Sequence, residues 1–145
     1  MNEQFKYLIE KLELNPSVTE EKIKEAEIKL NIRFPVQYKE FMSFSNGAEG
    51  NVGEDSYLQI YSVEEVVEIY EINSTDETLC LNHETRPVIC FASDGGGTYY
   101  AFDKSTEDSS IISFPAVSII SEEYELCGNT FIDFLQNLYN INTHS

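Results

Sequence analysis

Cysteine, histidine, tyrosine and carboxylate are the side chains with chemistry to offer here, and their spacing decides which chemistry is open. A nucleophile needs a positioned base, most often histidine. The chain has two histidines, His83 and His144, and three cysteines, Cys80, Cys90 and Cys127, far apart from one another. No spacing sets a thiol or hydroxyl beside an imidazole. The cysteines form neither a CxxC pair nor a zinc pattern, so they read as free thiols of a reducing compartment, with Cys90 buried in a strand. The carboxylate pairs Glu20-Glu21, Glu64-Glu65 and Glu122-Glu123 are what so acidic a chain places on solvated helix faces. Asp94-Gly95-Gly96-Gly97 has the glycine content of a phosphate-cradling loop. Such loops, however, open a helix and use a lysine or the helix N-terminus. Here a β-prone run follows, and the next basic residue is Lys104. Residues 103–108 lack the central glycine and terminal glutamate of a calcium loop. The expectation is a non-enzymatic protein with no metal and no cofactor.

Recognition is the chemistry that remains. Nine Lys+Arg against 26 Asp+Glu leave a net charge of −17. Such a surface repels nucleic acid and anionic membrane, both of which bind through Lys and Arg. It attracts a basic protein and speeds its association, although an acidic surface also serves solubility alone. Tyr57, Tyr61, Tyr99, Tyr100 and Tyr124 stand beside acidic stretches. Tyrosine offers large contact area at low entropic cost, which suits a protein-binding face. Alternation along strands would equally place tyrosines at the rim of a core.

The elements that position these residues centre on Val88–Asp103, where two apolar runs flank Asp94-Gly95-Gly96-Gly97 and read as an antiparallel hairpin. Around it, Phe5, Leu8, Ile9 and Leu12 predict an amphipathic helix over 3–13, ended at Asn15-Pro16. Thr19 is the N-cap of a second helix carrying Ile23, Ala26 and Leu30, with Asn31 as its stop. Pro35 opens a third helix with Tyr38, Phe41 and Met42, closed by a left-handed cap at Asn46-Gly47. Ala48–Ser56 reads as an exposed acidic loop and Tyr57–Tyr61 as a strand. Ser62 and Glu65 then form a capping box for a helix with Val63, Val66, Val67 and Tyr70 inward. Leu79-Cys80-Leu81 lies in a connection, Ile111–Phe114 is a further strand, and Val117–Ile120 continues or pairs with it. Thr130 caps a last helix whose stripe is Phe131, Phe134, Leu135 and Leu138. At 145 residues, with 41% hydrophobic content, this is one domain with a single core. The order predicts an α+β fold: a central antiparallel or mixed sheet with N-terminal helices and a C-terminal helix packed against it. No apolar run is long enough for a membrane span and the N-terminus lacks a signal peptide, so a cytoplasmic location is expected.

Three stretches resemble the SUKH superfamily in order and spacing. They are Thr19–Ile23 with Ala26-Glu27, Leu30, Ile32–Pro35, Tyr38, Phe41 and Asn46-Gly47; Ser93–Asp103; and Thr130–Leu135. The similarity spans about residues 17–138, with departures at Asn31, where the family often has glycine, and near Ala48, where it often has a second glycine or an aromatic residue. The resemblance implies a small non-enzymatic α+β domain. Members are chiefly bacterial immunity proteins that bind and neutralise a cognate toxin domain, often a nuclease or deaminase. Others are regulatory scaffolds related to a fungal cell-wall synthesis regulator. The expected function is therefore occlusion of a basic toxin domain, with an adaptor for a housekeeping protein as the alternative. A small-ligand pocket beside Gly95–Gly97 is a further alternative. The candidate partner-binding residues are Glu49, Glu54, Asp55, Asp94, Tyr57, Tyr61 and Tyr99.

Overall fold

Seven strands lie antiparallel in chain order, each bonded to the next, in a computed structural model that describes residues 3–53, 56–75, 88–103, 110–115 and 125–140. The strands are β1 (Leu12–Leu14), β2 (Ala48–Val52), β3 (Ser56–Ile60), β4 (Val88–Ser93), β5 (Thr98–Asp103), β6 (Ile111–Pro115) and β7 (Glu125–Gly128). The helices are α1 (Glu3–Ile9), α2 (Glu20–Leu30), α3 (Val36–Phe44), α4 (Val63–Thr75) and α5 (Phe131–Tyr139). The fold is thus α+β, and of the two sheet types expected it is the purely antiparallel one.

Local signals place most of these elements. Thr19 Oγ1 accepts the Lys22 amide at 3.3 Å, and Asn31 stops α2 in the left-handed region at φ 53°. Pro35 stands one position before α3, and its carbonyl accepts the Lys39 amide at 3.0 Å. The capping box of α4 is reciprocal: Ser62 N donates to Glu65 Oε1 at 3.1 Å and Glu65 N to Ser62 Oγ at 3.2 Å. Thr130 Oγ1 accepts the Asp133 amide at 3.1 Å, and Phe131, Phe134, Leu135 and Leu138 form the buried stripe of α5.

Three expectations are corrected. The first helix ends at Ile9 rather than running to residue 13, because Leu12 pairs with Gly50 in the sheet and is buried there. Only glycine permits that approach, since a Cβ at Gly50 would lie 2.8 Å from the Lys11 carbonyl oxygen. Residues 48–52 are strand β2, not loop: Ala48 and Val52 point into the core while Glu49 and Asn51 point out. Finally, α3 is capped earlier than expected, at extended Ser45 (φ −150°), and the left-handed residue, Gly47 (φ 85°), lies two positions beyond the cap. Asn46 instead reaches forward, its Oδ1 accepting the Val63 amide at 2.9 Å and its Nδ2 donating to Glu64 Oε2 at 2.9 Å. Burial alone would raise the Glu64 pKa, but hydrogen bonds, chiefly from Asn46, hold the carboxyl below its usual range. Asn46→Ala orphans the first amide of α4 and is expected to cost about 1–2 kcal/mol. A lowered urea midpoint at unchanged m-value checks this, and an unchanged midpoint would show that water replaces the cap.

One face of the sheet packs on α3 and α5 through an aromatic cluster. Phe91 and Phe102 stack with centroids 4.3 Å apart, and Tyr38 meets Phe34, Phe91, Phe102 and Phe131 edge-on at 5.0–5.7 Å. Phe91 occupies a register shift between Cys90 and Ala92, a local bulge at the one aromatic residue of β4. Tyr100 sits on the same side, 4.9 Å from Phe134.

Candidate functional site

Strand alternation sends the other face of the sheet away from this cluster, and cross-strand register decides which side chains meet on it. Glu13 pairs with Glu49, Glu49 with Gln59, Gln59 with Ser93, Ser93 with Tyr99 and Tyr99 with Phe114. These six residues form one row across β1 to β6. Tyr57 and Tyr61 join the same face by their two-residue spacing from Gln59. The row is exposed at Glu13 and Glu49, half-buried at Gln59, Tyr99 and Phe114, and buried at Ser93. Along β5 this face closes, because Ala101 and Asp103 are buried.

Glu49, Tyr57, Tyr61 and Tyr99 are therefore brought together on one face. The Tyr57 hydroxyl donates to Glu49 Oε2 at 2.6 Å, and its ring is 40% exposed. That hydrogen bond is the main reason its phenol is harder to ionise than usual, with the Glu49 and Glu13 charges adding to the effect. Glu13 and Glu49 face each other directly, an arrangement of like charges that costs stability in an antiparallel pair. Tyr61 lies behind this edge, where burial pushes its phenol up to about 12, opposed by a hydrogen bond with Ser93. Tyr99 packs on Phe114 at 5.9 Å.

Asp94 stands apart in role. Its Oδ1 accepts the amides of Gly96 at 2.8 Å and Thr98 at 3.0 Å, and its own amide donates to the Thr98 carbonyl at 3.0 Å. The carboxylate thus closes the hairpin turn from inside and takes the Gly96 amide, while the Gly95 amide donates to Ser93 Oγ at 3.4 Å. Gly95 (φ 76°) rests on the Tyr57 ring, where a Cβ would sit 2.9 Å from Cε1. The tip is consequently tied to the acidic-aromatic edge it overhangs. Glu54 and Asp55 fall outside the described residues, as do Cys80, His83, Tyr124, His144 and the stretches 79–81, 104–109 and 117–120.

The two described thiols are poor nucleophiles. Burial pushes Cys90 from 9.0 to about 12, and burial also raises Cys127, so neither is a thiolate near neutrality. Among the described residues there is no cluster of three His, Cys, Asp or Glu suited to a metal ion, and no helix long and apolar enough to cross a membrane.

Charge is segregated along the chain. Residues 1–39 hold seven Lys/Arg and seven Asp/Glu, whereas residues 40–145 hold two against 19 and carry the whole net charge of −17. Glu49 and the tyrosines of the site belong to the second part. Glu13, Gln59, Ser93 and Phe114 were not expected at the site. For Gln59 the signal was the period-two alternation of β3 with Tyr57 and Tyr61, and for Glu13 it was masked by the apolar stripe read as helix, while Ser93 and Phe114 join the row only through strand register.

The profile of the SMI1 / KNR4 family (SUKH-1) matches residues 17–137. Comparison with curated proteins gave no match. The chain belongs to the SMI1 / KNR4 family, with the match reaching from the turn before α2 to the last turns of α5.

Proposed function

From that membership and the site's geometry, we propose that this chain is a non-enzymatic immunity protein that neutralises a basic toxin domain by covering it. The observation that carries the reading is the open edge of the outer sheet face, where Glu13 and Glu49 stand opposed beside the exposed Tyr57. Opposed carboxylates are costly in the free protein and favourable against a cationic surface. A toxin that acts on nucleic acid presents Lys and Arg for phosphate contacts, and occupying them excludes substrate without any reaction. Tyr57 and the half-buried Tyr99 supply apolar area beside that charge, with Tyr61 packed behind them. Glu54 and Asp55, which follow β2 and Gly53 in sequence, are proposed as further contacts by their charge alone. Cellular toxicity of the toxin domain encoded beside this protein, with and without co-expression, tests the proposal when combined with calorimetry. Rescue with tight 1:1 binding is the expected result. The pair Glu49→Lys and Tyr57→Ala is expected to weaken binding at least about tenfold and flatten its dependence on salt. Lack of both rescue and binding would sink the immunity reading and send the search to a housekeeping partner.

A further inference from the structure

A second surface, of different chemistry, lies beside the C-terminal half of α2. A shallow groove of about 590 Å³ is lined there by Lys24, Glu27, Ile28, Asn31, Ile32 and Arg33. Ile28 is 80% exposed on a helix whose buried side is already supplied by Ile23, Ala26 and Leu30. The rim is rigid. Left-handed Asn31 lets the Ile32 amide donate back to the Glu27 carbonyl at 3.1 Å, a helix-ending motif that brings the residue after the cap against the last turn. The groove's carboxylate is committed elsewhere: Glu27 Oε2 accepts the Phe34 amide at 2.7 Å and lies 3.8 Å from Lys39 Nζ. Lys24 and Arg33 flank the exposed isoleucine, while Oε2 of the groove's one carboxylate is turned to Phe34 and Lys39.

We propose that this groove docks an acidic segment of a partner protein, presenting an aliphatic side chain between carboxylates. The aliphatic group covers Ile28 and Ile32, and the carboxylates meet Lys24 and Arg33, with arginine suited to bidentate contact. The acidic part of the chain does not forbid this. Residues 1–39 are neutral in sum, and charges beyond about 8 Å are largely screened at physiological salt. A pre-formed rim also lowers the ordering cost of docking. The occupant is opposite in charge to the basic domain proposed for the sheet face, so the two surfaces serve different partners and this inference stands without that reading.

The test is a nuclear magnetic resonance titration of the ¹⁵N-labelled full chain with a 12-residue peptide of Asp and Glu carrying two leucines four apart. A matched peptide with Lys for every acid serves as the control. Amide shifts confined to residues 24–36, absent with the lysine peptide, are the expected result. Ile28→Asp and Arg33→Glu, both at exposed positions that leave the fold intact, should each weaken binding about tenfold, while Glu49→Lys leaves it unchanged. Absent shifts at residues 24–36, equal shifts there with the lysine peptide or an unaffected Arg33→Glu variant would each overturn the proposal. Sedimentation of the free protein as a dimer that Ile28→Asp dissociates would also overturn it, by assigning the groove to a second copy.

Discussion

Phe91→Ala is expected to lower stability by about 3–5 kcal/mol, because it removes a fully buried ring from the centre of the aromatic cluster. Phe91 stacks on Phe102 and meets Tyr38, Phe131 and Phe134, so its loss opens a cavity between β4, α3 and α5 that no neighbour can fill without leaving its own contacts. Domains of this size unfold at about 5–15 kcal/mol, so the variant stands near the limit of folding. A change at Tyr38, in the same cluster, is expected to act in the opposite direction. Its hydroxyl is fully buried with no hydrogen-bond partner among the described residues, and burial drives its pKa far upward. Tyr38→Phe deletes an unsatisfied polar group while keeping the ring, and stability should rise by about 1 kcal/mol. Urea unfolding of both variants measures this. A loss above about 1 kcal/mol for Tyr38→Phe would reveal a partner for the hydroxyl and reverse the argument.

Alkaline pH is expected to destabilise the protein from about pH 9 upward. Burial holds Cys90 as a thiol to about 12, against 9.0 when exposed, and holds Tyr61 and Tyr100 to about 12, against 10.0. The raised folded-state values fix the sign. Below pH 9 both states keep these protons and the stability is fully present. Above it the unfolded chain releases protons that the folded chain retains, so stability falls as pH rises towards 12. The thiol alone accounts for at most roughly 4 kcal/mol across that window. Denaturant unfolding at intervals from pH 7 to 11 should show the decline, and Cys90→Ala should make its onset shallower. Constant stability to pH 10.5, or a slope untouched by Cys90→Ala, would mean that the buried groups gain access to water before they titrate.

The parts of this fold that were legible in the sequence are those whose causes are local. A cap needs one oxygen and an amide three residues on, so Thr19, Ser62 with Glu65, and Thr130 declared themselves. The Val88–Asp103 hairpin did so as well, since its turn residues adjoin the strands they join. The helical stripe of α5 repeats within nine residues and needs no other element to be recognised. The family resemblance rests on three of these stretches, the one opened by Thr19, the hairpin from Ser93 to Asp103 and the start of α5 from Thr130 to Leu135, and the matched residues 17–137 contain those three.

The tertiary structure alone decided what those elements do to one another. Leu12 satisfies a helical stripe and a strand equally well, and only the approach to Gly50 selects the strand. Asn46 has the composition of a helix stop, but its work is done 17 residues later at Val63. The site itself is the plainest case. Glu13, Glu49, Gln59, Ser93, Tyr99 and Phe114 share a face because five consecutive strand registers align them. A shift of one residue in any register would send one side of the row to the opposite face. Asp94 shows the converse, since a carboxylate at an exposed hairpin tip reads as a contact residue until the turn amides are seen to consume it. The sequence by itself determined the elements, their caps and the amount of charge in each part of the chain, because those depend on neighbours within a few residues or on composition. Which carboxylates and tyrosines share a surface depended on strand pairing between distant segments, and that is a property of the folded chain.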